Sequence, residues 1–476
     1  MLTSASVSTW VHGRGWRRAR RVMQLDSEAA PWPALHSRWN PQKAGLAALL
    51  ASPQHTEALP LVSYAERMSV EHYTFPGQIP GYENVTDNIS GDVGPPATVV
   101  LHLFVKCVLQ PSGREVLCAG WGFVEATEGV PILHRHIAQP EAIRNWRPRI
   151  EIRTGVPNAR RIYPLTVAKA DDETDIRPFH FEGELPLSLR DQVPEIRVDD
   201  WPRFHYFRNL EAPEVPPPHA TPEKTLLLLS SFYYEPPRGS YALAAQLLVH
   251  HVRHHVGMGL AGEIVYVQHH YVPELLKHAE LVDYVSRGQL QIIVWDSFPK
   301  YDTPGFPTTD QPLQYSHALL ENWGRGLRIL VADVDEFLVT PHRGNVSTVL
   351  ACARGADQAR LRRFDVMCSG ERCPGDGQSE VDLWTSPEPH PLRHYNLIDR
   401  SAMSTFFGRL PKVIVSPERV RHFYVHEGVV VAGGADVEVR EGCAFLAHVL
   451  CLYSKRSDKV NFELDTSWHW LFENLD

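Results

Sequence analysis

The chain has 476 residues, enough for two or three domains, and its 43% hydrophobic and 22% charged residues are the balance of a soluble globular protein with a sizeable core. A formal net charge of -9 without a dense basic stripe argues against nucleic acid as a partner, because phosphate binding needs clustered Lys and Arg. No apolar run approaches the length of a membrane span, and the start Met1-Leu2-Thr3-Ser4-Ala5-Ser6-Val7 lacks the apolar core of a signal peptide.

Residues 1–96 carry weak periodicity and many breakers, and read as a poorly ordered arm with one short helix near Ala44–Leu50. The character changes at Ala97. Thr98 to Leu109 is a strand signal, Pro111-Ser112-Gly113 a turn, and Glu115 to Phe123 a return strand. Further strand-like pieces at Arg149–Ile152, Ala159–Val167 and Ile196–Val198 make residues 97–212 a β-rich domain. Its aromatic residues, among them Trp121, Trp146 and Trp201, read first as core, with sugar stacking as the alternative. Residues 213–223 hold the proline-rich run Pro213-Glu214-Val215-Pro216-Pro217-Pro218, a semi-rigid linker.

From residue 224 the rhythm is β-α-β. Leu226–Ser231 is the first strand, followed by a helix at Ser240–Val256. His250, His251, His254 and His255 crowd that helix. Pairs four apart suit a metal, but with no Cys or Glu beside them they read as surface histidines. Glu263–Gln268 and Gln289–Trp295 are the next strands, with a helix at Pro273–Ser286 between them and another at Pro312–Trp323 after them. Strands alternating with helices predict a doubly wound, mostly parallel sheet. No Gly-rich phosphate loop follows the first strand, which argues against dinucleotide and P-loop folds.

Leu327 to Ala332 is an apolar run interrupted only by Arg328, a strand buried on both faces. It ends in Asp333, Asp335 and Glu336. On an extended chain Asp333 and Asp335 point the same way, and open α/β sheets bind ligands at that carboxyl edge. Two carboxylates held close repel, and a hard divalent cation with phosphate oxygens relieves the repulsion. Asp-x-Asp alone is a short, common pattern, and the plain alternative is a solvated acidic turn. Beyond it, Arg360–Met367 and Lys412–Val415 read as strands, and Val425-His426-Glu427-Gly428 and Leu446-Ala447-His448-Val449-Leu450 each set a His among apolar residues. There are seven cysteines. Cys368 and Cys373 are near neighbours, as are Cys443 and Cys451, but neither spacing suits zinc and buried free thiols are the default reading. Sequons at Asn84, Asn88 and Asn345 matter only in a secretory protein.

Taken together, several of these segments resemble glycosyltransferase family 92 over about residues 224–455. They are the helix ending Ala318-Leu319-Leu320-Glu321-Asn322-Trp323, the strand ending Asp333-Val334-Asp335-Glu336-Phe337, the segment Lys412-Val413-Ile414-Val415-Ser416-Pro417-Glu418-Arg419-Val420, and Val425-His426. A final His-Tyr-Arg-like element is degenerate here, as Ala447-His448-Val449-Leu450. The resemblance implies a GT-A fold over residues 224–476, Mn²⁺ (or Mg²⁺) dependence, and inverting transfer of a hexose, galactose in the best-known case, from a UDP-sugar to a glycan acceptor. It also implies a Golgi protein with an N-terminal membrane anchor. No anchor is visible, so a soluble protein and an incomplete start both remain open.

On that basis Asp335 is the expected metal ligand, and Asp333 a ligand or ribose contact. Glu336 either orients the turn or pairs at the surface. His426 and His448 are the expected late metal histidines, and Lys412, Arg409 and Arg419 are candidates for phosphate. Tyr233 and Tyr234, after the first strand, are placed to stack on the nucleotide base. The base that removes the acceptor proton falls among Asp365, Glu371, Asp376, Glu380 and Asp382, with Glu371 favoured for its loop position. Two other classes stay open. One is a haloacid-dehalogenase-like phosphatase with Asp333 as nucleophile, although Phe337 and three preceding β-α units depart from that pattern. The other is a non-catalytic glycan-binding protein on a transferase scaffold.

Overall fold

A computed structural model describes residues 225–232, 236–295, 311–341, 344–368, 383–385, 390–399, 411–423, 428–430 and 433–449, with the backbones of strands elsewhere. In the α/β region the elements are β1 (Leu226–Ser231), α1 (Tyr241–Gly257), β2 (Gly262–Val267), α2 (Ala279–Ser286), β3 (Leu290–Val294), α3 (Gln311–Asn322), β4 (Arg328–Val331), β5 (Glu336–Val339), α4 (Val346–Cys352), β6 (Gln358–Leu361), β7 (Arg363–Cys368), β8 (Tyr395–Asp399), β9 (Lys412–Val415), β10 (Val420–Phe423), β11 (Gly428–Val430), β12 (Asp436–Glu438), β13 (Phe445–Val449) and β14 (Glu463–Leu464).

The strand order explains where a site can form. An eight-stranded mixed sheet runs Val62–Tyr64, β3, β2, β1, β4, β9, β6, β12. From Val62–Tyr64 through β4 all pairings are parallel, while β9 is antiparallel to both β4 and β6. The chain builds outward from β1 to β2 and β3, then returns to add β4 on the other side of β1. That reversal opens a crevice at the carboxyl ends of β1 and β4, the usual ligand position of such sheets.

The four leucines of β1 show how the sequence fixes these layers. Leu227 and Leu229 join a cluster with Tyr315, Ala318 and Leu319 of α3, whereas Leu226 and Leu228 join one with Val346 and Val349 of α4 and Ile414 of β9. The same alternation holds in β4, where Ile329 and Val331 belong to the first cluster and Leu330 and the following Ala332 to the second. A fully buried Leu, Ile or Val of this kind contributes about 1.5–3 kcal/mol. Ser240 caps α1 by accepting from the Leu243 amide at 3.1 Å, and Gly259, at φ 93°, supplies the left-handed residue beyond its end.

A second sheet, of five strands, runs β5, β13, β7, β8, β14. Among the described strands, the chain crosses from the first sheet to the second three times, between β4 and β5, between β6 and β7, and between β12 and β13. Between β4 and β5 it does so through Ala332-Asp333-Val334-Asp335, and between β6 and β7 at Arg362. The strand expected at Arg360–Met367 is therefore two strands in different sheets. The helix expected at Pro273–Ser286 is also two pieces, Val272–Leu275 and Ala279–Ser286, because His278 is extended (φ -84°, ψ 108°) and caps the second.

Before residue 225 the described backbone elements are all strands. Two of them, Val62–Tyr64 and Glu71–Thr74, fall within the expected arm, while the helix expected near Ala44–Leu50 lies outside the described residues. Apart from Val62–Tyr64 they pair antiparallel in a five-stranded sheet (Glu71–Thr74, Thr98–Leu109, Glu115–Glu128, Arg177–Pro186, Thr166–Val167) and a four-stranded one (His205–Tyr206, Glu195–Val198, Arg149–Arg153, Arg160–Pro164). The strand expected over Ala159–Val167 is split between these two sheets. Lys106 of this region donates to the carbonyl of Glu321, at the end of α3, at 2.5 Å.

The cysteine expectation is corrected as well. Cys352 and Cys443 form a disulfide that ties α4 to the turn before β13, and Cys368 is also disulfide-bonded. Residues 91 apart in sequence give no spacing signal.

Candidate active site

The crossing from β4 to β5 carries the three acidic residues. Strand geometry ends at Val331, and the amide of Glu336 donates to the Asp333 carbonyl at 2.9 Å, closing a turn. The rule that alternate residues point the same way therefore does not apply, and Asp333 and Asp335 have different partners. Asp333 Oδ2 lies 2.8 Å from the Lys412 ammonium. Its other oxygen accepts from Gln311 Nε2 at 3.3 Å and, more weakly, from the Tyr315 hydroxyl at 3.4 Å. Asp335 instead faces His448, with 3.7 Å between Oδ2 and Nε2.

Glu336 is fully buried and braces the turn. Its Oε2 accepts from the Asp333 amide at 2.9 Å and lies 3.6 Å from Lys412, while Oε1 accepts from Arg363 at 3.2 Å. Of the two expected roles, orientation of the turn is the one its contacts fit. Burial pushes the Glu336 carboxyl up, and Lys412 and Arg363 pull against that shift. Lys412 is also fully buried. Burial opposes its charge, but Asp333 and Glu336 outweigh burial and raise its pKa. The structure thus turns the Lys412 ammonium toward two carboxylates.

His448 lies on β13, directly opposite Glu336 of β5 and beside Asp365 of β7. Its Nδ1 donates to Asp365 Oδ1 at 2.6 Å, which leaves Nε2 aimed at Asp335. A carboxylate that holds the far nitrogen of a histidine fixes the ring's orientation and raises its basicity. Burial lowers the affinity of His448 for its proton, and Asp335 with the bond to Asp365 more than reverses this, to about 9. Asp365, one of the expected candidates for the base, is thus engaged with His448.

The donor set fits a divalent cation. A carboxylate oxygen and an imidazole nitrogen face each other across a gap wider than a hydrogen bond, and the ring is held from behind. Charge points the same way. Four carboxylates (Asp333, Asp335, Glu336, Asp365) meet Lys412, Arg363 and a protonated His448, and a divalent ion in place of that proton makes the two signs equal. Tyr233, Tyr234, Glu371, Asp376, Glu380, Asp382, Arg409 and His426 lie outside the described residues. Arg419 pairs at 4.0 Å with Asp357, and its side chain is 43% exposed.

The helix histidines are the main correction. His250, His251, His254 and His255 are buried, not on the surface. The missing carboxylate is Glu263 of β2. His251 Nδ1 lies 3.0 Å from both Glu263 oxygens, and the Ser230 hydroxyl donates to Oε1 at 2.5 Å. A sequence signal existed: a Glu inside a strand buried on both faces requires a partner. His251, His255 and Glu263 are close enough to hold a metal ion, yet their ring nitrogens are already hydrogen-bonded. His251 Nε2 donates to the Glu336 carbonyl at 3.0 Å, and His255 Nδ1 donates to the His251 carbonyl at 2.8 Å. The Leu338 amide donates to His255 Nε2 at 3.1 Å.

The fold and these contacts define an α/β protein with a buried acidic site at a sheet edge, and comparison with known proteins makes that class a glycosyltransferase. Residues 238–469 match the family model of glycosyltransferase family 92, and this segment of the chain belongs to that family. No curated protein matches the chain. Among the described residues, no helix is long and apolar enough to cross a membrane.

Proposed function

We propose that residues 224–476 form a GT-A-type, metal-dependent, inverting glycosyltransferase that moves a hexose, with galactose the first choice, from a UDP-sugar to a glycan. The β-rich residues 97–212 are then an accessory domain, preceded by the arm 1–96 and joined by the linker 213–223. The observation that carries this reading is the alignment Asp335, His448, Asp365 at the carboxyl edge of β4, inside the family 92 segment.

In this reading Asp335 and His448 hold Mn²⁺ or Mg²⁺, and Asp365 positions His448. Asp333 is held by Lys412 and shapes the ribose or diphosphate side of the crevice. The bound ion supplies positive charge beside the departing diphosphate, where negative charge develops. Glu336 and Arg363 keep the turn in place from below. The base that takes the acceptor proton is then Glu371 or Glu380, since Asp365 is committed to His448. Tyr233 and Tyr234, next after β1 in the sequence, are the candidates to stack on the nucleotide base, and His426 is a further ligand candidate. The Cys352–Cys443 disulfide supports an oxidising compartment such as the Golgi lumen.

The test is UDP release from UDP-galactose with and without Mn²⁺, in wild type and Asp335→Ala. Turnover that requires Mn²⁺ and vanishes in the variant is the expected result. A folded protein that binds glycans but turns over no nucleotide sugar would instead establish the lectin-like alternative.

A further inference from the structure

The strand that follows the acidic turn has an open edge. β5 is the terminal strand of the second sheet and pairs only with β13 among the described strands. In an antiparallel pair, alternate residues direct their backbone groups to the neighbour and the rest direct them outward. The Val449 amide donates to the Asp335 carbonyl at 2.9 Å, so the odd-numbered residues face β13. Leu338 then presents its N–H and C=O groups, and Glu336 its C=O, to the other side, where a further strand would normally sit, while the Glu336 N–H is taken by the Asp333 carbonyl.

Three histidines of α1 occupy that side. His251 Nε2 donates to the Glu336 carbonyl at 3.0 Å, and His254 Nε2 donates to the Leu338 carbonyl at 2.8 Å. His255 Nε2 accepts from the Leu338 amide at 3.1 Å. Each ring is in the protonation form its bond needs. Burial holds His255 well below the ordinary range and His254 at about 4, so both are neutral. His251 donates from both nitrogens and is cationic: burial opposes the charge, and Glu263 outweighs it. The Phe337 side chain packs among the same rings, 5.1 Å from His251 and 5.5 Å from His254 between centroids.

We propose that His251, His254 and His255 are positioning residues that replace a missing strand along β5 and thereby hold the Asp333–Glu336 turn in its binding geometry. This rests on the reading of Asp335 and His448 as the metal site. The spacing is what makes it possible. Residues 251, 254 and 255 share one helix face, and their rings reach two residues of an extended strand. The carbonyl that His251 holds belongs to Glu336, next to Asp335 in the chain, so movement of the edge would displace the ligand directly.

The test uses amide exchange and Mn²⁺ affinity. In wild type the Leu338 amide should exchange as slowly as amides inside the sheet, although β5 is an edge strand. Exchange at the rate of an open edge would overturn the proposal without any variant. His254→Gln and His255→Gln keep a polar atom near Nε2, whereas His254→Leu and His255→Leu remove it. The leucine variants should speed Leu338 exchange about tenfold and weaken Mn²⁺ binding about tenfold or more, while the glutamine variants stay within about threefold of wild type. Leucine variants that lose thermal stability but bind Mn²⁺ like wild type would reduce the histidines to core packing and overturn the proposal. Failure of wild type to bind Mn²⁺ would sink the metal-site reading alone, and Leu338 exchange would still decide the clamp.

Discussion

Two buried clusters of histidine and carboxylate lie on either side of β5, and they differ in one respect. Around His251 and Glu263 every contact is closed: the separations are 2.5–3.1 Å and each ring nitrogen named has a partner. Around His448 one contact is open, the 3.7 Å between Nε2 and Asp335, although the other nitrogen is held at 2.6 Å. Closed contacts in a dry interior fix a backbone. An open one, backed by a held ring, leaves a place for a cation. The same residue types serve a clamp in one place and a candidate ligand pair in the other, and the distances separate them where composition does not.

The largest expected effect breaks the open cluster. His448→Ala or Asp335→Ala should lower Mn²⁺-dependent turnover more than about 100-fold with the fold intact, checked by initial rates and circular dichroism. A sharper change is Asp365→Asn. As a positioning carboxylate its loss should weaken Mn²⁺ binding about 10–100-fold, with turnover largely recovered at saturating metal. If Asp365 were the base, turnover would fall at saturating metal while Mn²⁺ affinity stayed the same.

In the closed cluster, Glu263→Gln leaves a buried imidazolium without its counter-ion. It should cost about 3 kcal/mol in urea unfolding. The smallest effect is in pH. The His254 ring is held at about 4 when folded and takes a proton near 6.5 when unfolded. The unfolded chain therefore binds more protons in this window, so the stability from a neutral His254 is present above about 6.5 and is lost as pH falls toward 4. His254→Gln removes that dependence. The gap between variant and wild type should shift in the variant's favour by on the order of 2–3 kcal/mol across the window, read from unfolding midpoints.

Much of the sheet is legible in the sequence because its strands are apolar runs bounded by breakers. Leu226–Leu229 and Ile329–Ala332 have no polar residue to suggest an exposed face, and both are buried on both faces. The acidic turn is legible too, as a cluster of carboxylates after such a strand. Its internal geometry is not, because period-two reasoning assumes an extended chain and the chain turns at Asp333. The roles of Asp365 and Lys412 depend on β7 and β9 meeting β13 and β4, contacts that no local spacing encodes. The histidines of α1 mislead for the same reason. Their partners lie on β2 and β5, and helical periodicity says which face a residue shares but not what faces it. The Cys352–Cys443 bond is another long-range pairing.

The measurement that tests the central claim most directly is a Mn²⁺ titration, in the presence of UDP, on wild type and His448→Ala. Saturable binding of the ion in wild type, weakened at least about tenfold in the variant, is the predicted result. Equal binding in both proteins, or none in wild type, would contradict the assignment of Asp335 and His448 as the cation site.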